Sequence, residues 1–218
     1  LIYASSLLVL LVLLCLKGVK WKIILASQGK GITLPESIRF YMIGLFVGNV
    51  TPGKIGDFAR AMYLREKTGL PLALASVVLD RFMDVGILVV FSVLSALSFA
   101  YLYNVTVVPA HVFAIALLAF IAALFFLVKE KYLKMVLRPI FSFVVPDSQK
   151  QRISLGFSGF FSSVKAVKQT LPLFCVSLLV GVMIWLIGAF VFYMLSLSLS
   201  LGLPLHVILL VFPLVSLT

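Results

Sequence analysis

Two clusters of residues in this chain have the types and spacing for chemistry. One is Asn49, Thr51, Pro52, Gly53, Lys54, Gly56, Asp57 and Arg60; the other is Asp80, Arg81 and Asp84. Pro52, Gly53 and Gly56 let backbone N–H groups converge without Cβ obstruction, and Asn49 or Thr51 can cap the helix that follows. A helix N-terminus with exposed amides is an anion site. Lys54 and Arg60 add positive charge, and the Arg60 guanidinium can grip a phosphate with two parallel hydrogen bonds. The competing reading is an ordinary interfacial turn held by an Asp57–Arg60 pair at i,i+3.

In the second cluster, Asp80 and Asp84 lie at i,i+4 on one helical face, and Arg81 reaches Asp84 at i,i+3 while turning about 100° away from Asp80. Two roles follow for it. One is an ion-pair brace, joining Asp80 or Asp84 to Arg60 and Asp57 to Arg81; the other is direct handling of substrate or protons. Other candidates weaken on inspection. No Gly-Lys-Ser or Gly-Lys-Thr closes the first cluster into a phosphate-binding Walker loop, and no serine sits in a Gly-x-Ser-x-Gly setting. His111 and His206 lack partners at ligand spacing, and Cys15 and Cys175 lie in apolar runs with no CxxC. No metal or other cofactor is expected.

The elements that must position these clusters are membrane helices. The chain is 63% hydrophobic and only 11% charged, against roughly 25% charged residues in soluble domains. Its excess of Lys and Arg over Asp and Glu falls in short loops between apolar runs. A cytoplasmic membrane surface accounts for that pattern, and nucleic acid does not. A span takes about 20 apolar residues, which predicts an all-α, polytopic integral membrane bundle as a single transmembrane domain over 1–218, with spans at about 1–16, 72–101, 110–128, 171–200 and 205–218. The chain begins at Leu1 and stops at Thr218 inside an apolar run, so it reads as a piece of a longer protein, truncated at both ends.

Lys17, Lys20 and Lys22 around Trp21 suit the headgroup region, and 17–36 is expected to be a surface helix and turn broken by Gly29, Gly31 and Pro35. The apolar run from Phe40 to Gly48 is long enough to enter a bilayer and too short to cross it, which predicts a re-entrant hairpin over about 38–60. With that hairpin, the basic stretches 17–39, 54–67 and 129–168 share one side, and the opposite loops, 102–111 and 201–206, contain no Lys or Arg. By the positive-inside rule the basic loops are cytoplasmic, in a multi-pass protein of the cell membrane. Backbone that turns at membrane depth needs protein or a water-filled cavity around it, so the hairpin implies a polar cavity. Its tip is expected near the start of the 72–101 helix, facing Asp80, Arg81 and Asp84. Residues 129–170 are expected to form interfacial amphipathic helices. Asn104-Val105-Thr106 matches a glycosylation acceptor in an outer loop.

The run from Asn49 to Asp57 with Arg60, followed by Ala75-Ser76-Val77-Val78-Leu79-Asp80-Arg81 and Asp84, resembles the flippase-like transmembrane domain of the lysylphosphatidylglycerol synthase family. The likeness is carried by residues 17–90. The family's Pro-Gly-x-x-Gly-acidic-x-x-Arg pattern falls on Pro52, Gly53, Gly56, Asp57 and Arg60, and its acidic-Arg-x-x-Asp pattern on Asp80, Arg81 and Asp84. A later Gly-Gly-x-Gly-x-x-Glu stretch usual in the family does not occur before Thr218. The resemblance implies a domain that moves or accommodates a charged-headgroup lipid, such as an aminoacylated phospholipid or a polyprenyl-linked sugar, and that is not itself an enzyme. Its expected partners are membrane lipids, with a second copy of the chain or a separate or fused soluble transferase domain as alternatives. Two other functions stay open: an enzyme acting on a polyprenyl phosphate with Asp57 or Asp80 as base, and a non-transporting membrane assembly domain.

Overall fold

The computed structural model describes residues 2–51, 56–104, 109–129, 132, 158–166 and 170–217. Within them the regular structure is helical: α1 (Ile2–Ser27), α2 (Leu34–Val50), α3 (Ala59–Thr68), α4 (Leu70–Tyr103), α5 (Ala110–Val128), α6 (Leu171–Ser198) and α7 (Leu205–Leu217). Three of these, α1, α4 and α6, are long and apolar enough to cross a membrane. The apolar windows of α5 and α7, His111–Ala123 and Leu205–Ser216, are shorter. The expected all-α membrane bundle is the observed one.

The first helix differs from its expected end at Leu16. Nothing between Lys17 and Ser27 breaks a helix, so α1 continues until Gly29, whose φ of 76° no Cβ opposes. There the Lys30 N–H bonds to the Leu25 carbonyl at 3.1 Å and the Gly29 N–H to the Ala26 carbonyl at 3.0 Å, a Schellman closure. The three lysines therefore lie on the continuing helix, and Lys20 is buried against its neighbours.

Next come α2 and α3, an antiparallel hairpin. Glu36 closes the first turn of α2, its carboxylate accepting the Thr33 N–H at 3.1 Å and pairing with Lys67 at the far end of α3. Lys67, with the Thr33 N–H and hydroxyl, holds the Glu36 carboxyl down to about 2, so this clasp stays ionised well into acid. At the other end, the Thr51 hydroxyl donates to the Val47 carbonyl at 2.9 Å and accepts the Gly56 N–H at 2.8 Å. The tip between them, with the predicted site residues Pro52, Gly53 and Lys54, lies outside the described residues. Gly69, at φ 83°, turns the chain from α3 into α4.

α1 packs mainly along α6, and α4 lies against α3 and α7. The core that sets the site's position joins Trp21 and Leu25 of α1, Phe40 and Tyr41 of α2, Ala61 and Leu64 of α3 and Ala73 and Val77 of α4. Polar contacts fix the ends: the Thr170 hydroxyl bonds to the Ser27 carbonyl, while at the opposite end the Tyr103 hydroxyl meets His206 Nε2 at 3.2 Å. Most of the interfacial helices expected at 129–170 fall outside the described residues, as do Val105 and Thr106 of the glycosylation pattern. The helical stretch 158–166 does not lie loosely on a surface. Phe161 is buried and Phe160 packs against the cluster of Ile24, Leu79 and Met83.

Candidate functional site

The centre of the site is Asp80. Its stripe on α4, Ser76, Asp80 and Asp84, repeats every four residues and so faces one neighbour. That neighbour is α1, running the opposite way: Trp21 Nε1 donates to the Ser76 hydroxyl at 3.1 Å, and Lys20 Nζ pairs with Asp80 at 2.9 Å and with Asp84. From α3, Arg60 Nη2 donates to the other Asp80 oxygen at 2.6 Å. Asp80 is 0% exposed, Arg60 1% and Lys20 2%. At such burial an ion survives only with its partners in place. The Arg60 plane is held by aromatic rings, 5.0 Å from the Trp21 centroid and 4.6 Å from that of Tyr41, so cation–π attraction replaces part of the lost hydration.

Arg81, one residue round the helix from Asp80, points to the α2–α3 turn and bonds to Asp57 at 2.9 Å, with Asp84 further off at 3.9 Å. Both pairings read from the sequence are present, Arg60 with Asp80 and Asp57 with Arg81; the Asp57–Arg60 pair of the alternative reading is not formed. Asp57, on the α3 side of the turn, therefore sits beside Arg81, about 16 Å along α4 from its first residue at 1.5 Å per residue. Close approach makes this possible. A Cβ on Gly48 would stand 2.7 Å from Asp57 Oδ1, and one on Gly56 2.4 Å from the Val47 carbonyl.

The anion cradle expected in the turn falls largely on 52–55, outside the described residues. Thr51 occupies the Gly56 N–H, and Phe58, the residue before α3, gives that helix no side-chain cap. Asn49 is exposed, and Arg60, expected to grip a phosphate, is enclosed by protein. Beside the network lies a cavity of about 740 Å³. Lys17, Asp57, Arg81 and Asp84 line its polar part, and Leu13, Leu88, Trp185, Phe192 and Phe212 its apolar part. Lys17, Lys20, Trp21 and Tyr41 are site residues that the sequence reading missed. The signal was present: 17, 20 and 21 share a helical face once the helix is allowed to run past Leu16. Among the described residues no three His, Cys, Asp or Glu side chains gather into a metal-binding group.

No curated protein and no solved structure matches the chain. The family comparison does, over the whole of residues 1–218, and with it the paired clusters carried by a bundle of apolar helices acquire a family and a link to membrane lipids: the chain belongs to the lysylphosphatidylglycerol synthase TM region family.

Proposed function

We propose that this domain takes a lipid by its charged headgroup into the cavity between α1, α4, α6 and α7 and passes it between leaflets, as a flippase-like domain of the cell membrane. The observation that carries the reading is the amphipathic lining of the cavity. Lys17, Asp57, Arg81 and Asp84 line it together with aromatic and aliphatic side chains, in a volume of about 740 Å³ that lies within the roughly 300–1,000 Å³ usual for ligand sites. A headgroup needs the charged side chains and its acyl chains the apolar ones. Aminoacylated phospholipids and polyprenyl-linked sugars both meet that description.

In this reading the α2–α3 hairpin is re-entrant. Its outer ends meet at Glu36 and Lys67, and the ten residues of α3 extend about 15 Å, half of a hydrocarbon layer about 30 Å thick. The lysine- and arginine-bearing loops face the cytoplasm. Transport is favoured over catalysis because Asp80 is engaged by two cations and Asp57 by Arg81, which leaves neither carboxylate free to serve as a base. A soluble transferase, separate or fused, would supply chemistry that this domain does not.

The test is leaflet transfer of a fluorescent charged-headgroup lipid in proteoliposomes. Arg81→Ala is the informative variant, since Arg81 lines the cavity and is 33% exposed. Removing its charge-assisted contacts is expected to slow transfer roughly tenfold while the protein still inserts. Transfer at the wild-type rate in this variant would sink the site assignment.

A further inference from the structure

Along the facing stripes of α1 and α4, Trp21 meets Ser76 and Lys20 meets Asp80 and Asp84. One turn further, Lys17 comes to the same cavity wall as Leu88: the ladder of α4 carboxylates has ended. Lys17 forms no ion pair among the described residues, although Asp84, Arg81, Asp80 and Lys20 are its electrostatic neighbours. Lys20, Arg60, Asp80 and Asp84 neutralise one another, and so do Asp57 and Arg81. Among the described residues that line or adjoin the cavity, Lys17 is then one positive charge in excess. It lies about 15 Å along α1 from Ser27, inside a helix apolar enough to span, where an unmatched charge is costly. The cavity it lines is open to a ligand and offers room beside the ammonium group.

We infer that Lys17 is the anchor for a single negative charge, the phosphodiester of a lipid headgroup, and that this one-charge match selects phosphodiester lipids over phosphomonoester and pyrophosphate lipids. The inference rests on the lipid-handling reading above and narrows its substrate class. A phosphodiester carries one charge and restores neutrality, whereas a dianion leaves a negative charge beside Asp84 and Asp57. Lys17 has three donors on a flexible stem, which suits a point contact to a phosphate. Arg81 and Asp57 remain for the rest of the headgroup.

The test is binding to the purified full chain in detergent, read by native mass spectrometry with short-chain phosphatidylglycerol as the phosphodiester, short-chain phosphatidate as the phosphomonoester, and inorganic phosphate as the free anion. Lys17→Gln is expected to weaken phosphatidylglycerol binding about tenfold, the scale of one charge-assisted contact, and Lys17→Arg to restore it to within about threefold. Phosphatidate should bind more weakly than phosphatidylglycerol, and inorganic phosphate should not displace the lipid at equal concentration. Since Lys17 has no ion pair to lose among the described residues, K17Q is expected to melt no lower than wild type, which separates lost binding from lost folding. Equal phosphatidylglycerol binding in K17Q and wild type overturns the anchor, as does tighter binding of phosphatidate or displacement by inorganic phosphate. Binding that depends on Lys17 in a protein that moves no lipid supports the anchor and overturns translocation.

Discussion

Asp80 holds two cations from two other helices and is itself fully buried. Replacing it by Asn keeps the shape and removes the charge, leaving Lys20 and Arg60 buried and uncompensated. Breaking a buried ion pair from one side costs about 3–5 kcal/mol, so Asp80→Asn is expected to lose that much stability in denaturant unfolding in detergent micelles. A loss below about 1 kcal/mol would show that the network is solvated and that Asp80 is not its hub. The Arg60–Asp80 and Asp57–Arg81 pairs were legible in the sequence, because charges of opposite sign placed at similar depth in an apolar bundle must find each other. Lys20 was not. A lysine beside a tryptophan reads as an interfacial pattern, and only the tertiary position of Asp80 turns the same residues into a buried clamp.

The element that brings the two clusters together is the α2–α3 hairpin, and its geometry depends on the small face of α2. At Gly48 there is no room for a methyl group, since its Cβ would stand 2.7 Å from Asp57 Oδ1. Gly31 offers the control, with nothing within 4 Å of a built Cβ and no positive φ. Gly48→Ala is expected to cost about 1–3 kcal/mol through overpacking and to disengage Asp57 from Arg81, while Gly31→Ala stays within about 0.5 kcal/mol of wild type. Thermal unfolding of the two variants side by side checks this; equal melting points would mean that α2 and the turn are not in close contact. The hairpin itself was legible, because the apolar run from Phe40 to Gly48 is short and is followed by Pro52 and Gly53. The length of α1 was not, because three lysines in six residues resemble a helix end when the carboxylates that pair with Lys20 lie some sixty residues away in sequence.

For the whole molecule, the bundle has two unlike ends. Ser27, Glu36, Lys67 and Thr170 gather at one, Tyr103 and His206 at the other, and the basic residues of the loops place the first end in the cytoplasm under the proposed orientation. With the exposed thiols Cys15 and Cys175 replaced by serine, a single cysteine at Lys30 should react with an impermeant reagent only from the cytoplasmic side, and one at Leu203 only from the other. Labelling of both from the same side would overturn the topology. Composition made the all-α membrane bundle readable. The cavity between α1, α4, α6 and α7 was not, because Trp185, Phe192 and Phe212 carry no pattern that distinguishes cavity wall from lipid-facing surface. The central claim is that this cavity receives the headgroup, and the most direct measurement is crosslinking with a phosphatidylglycerol bearing a photoreactive headgroup, mapped by peptide mass spectrometry. The account predicts label on the segments around Lys17, Phe58 and Arg81 to Val85, reduced by Arg81→Ala; label confined to outward residues such as Leu94, Leu97 and Leu179, and unchanged by that substitution, would contradict it.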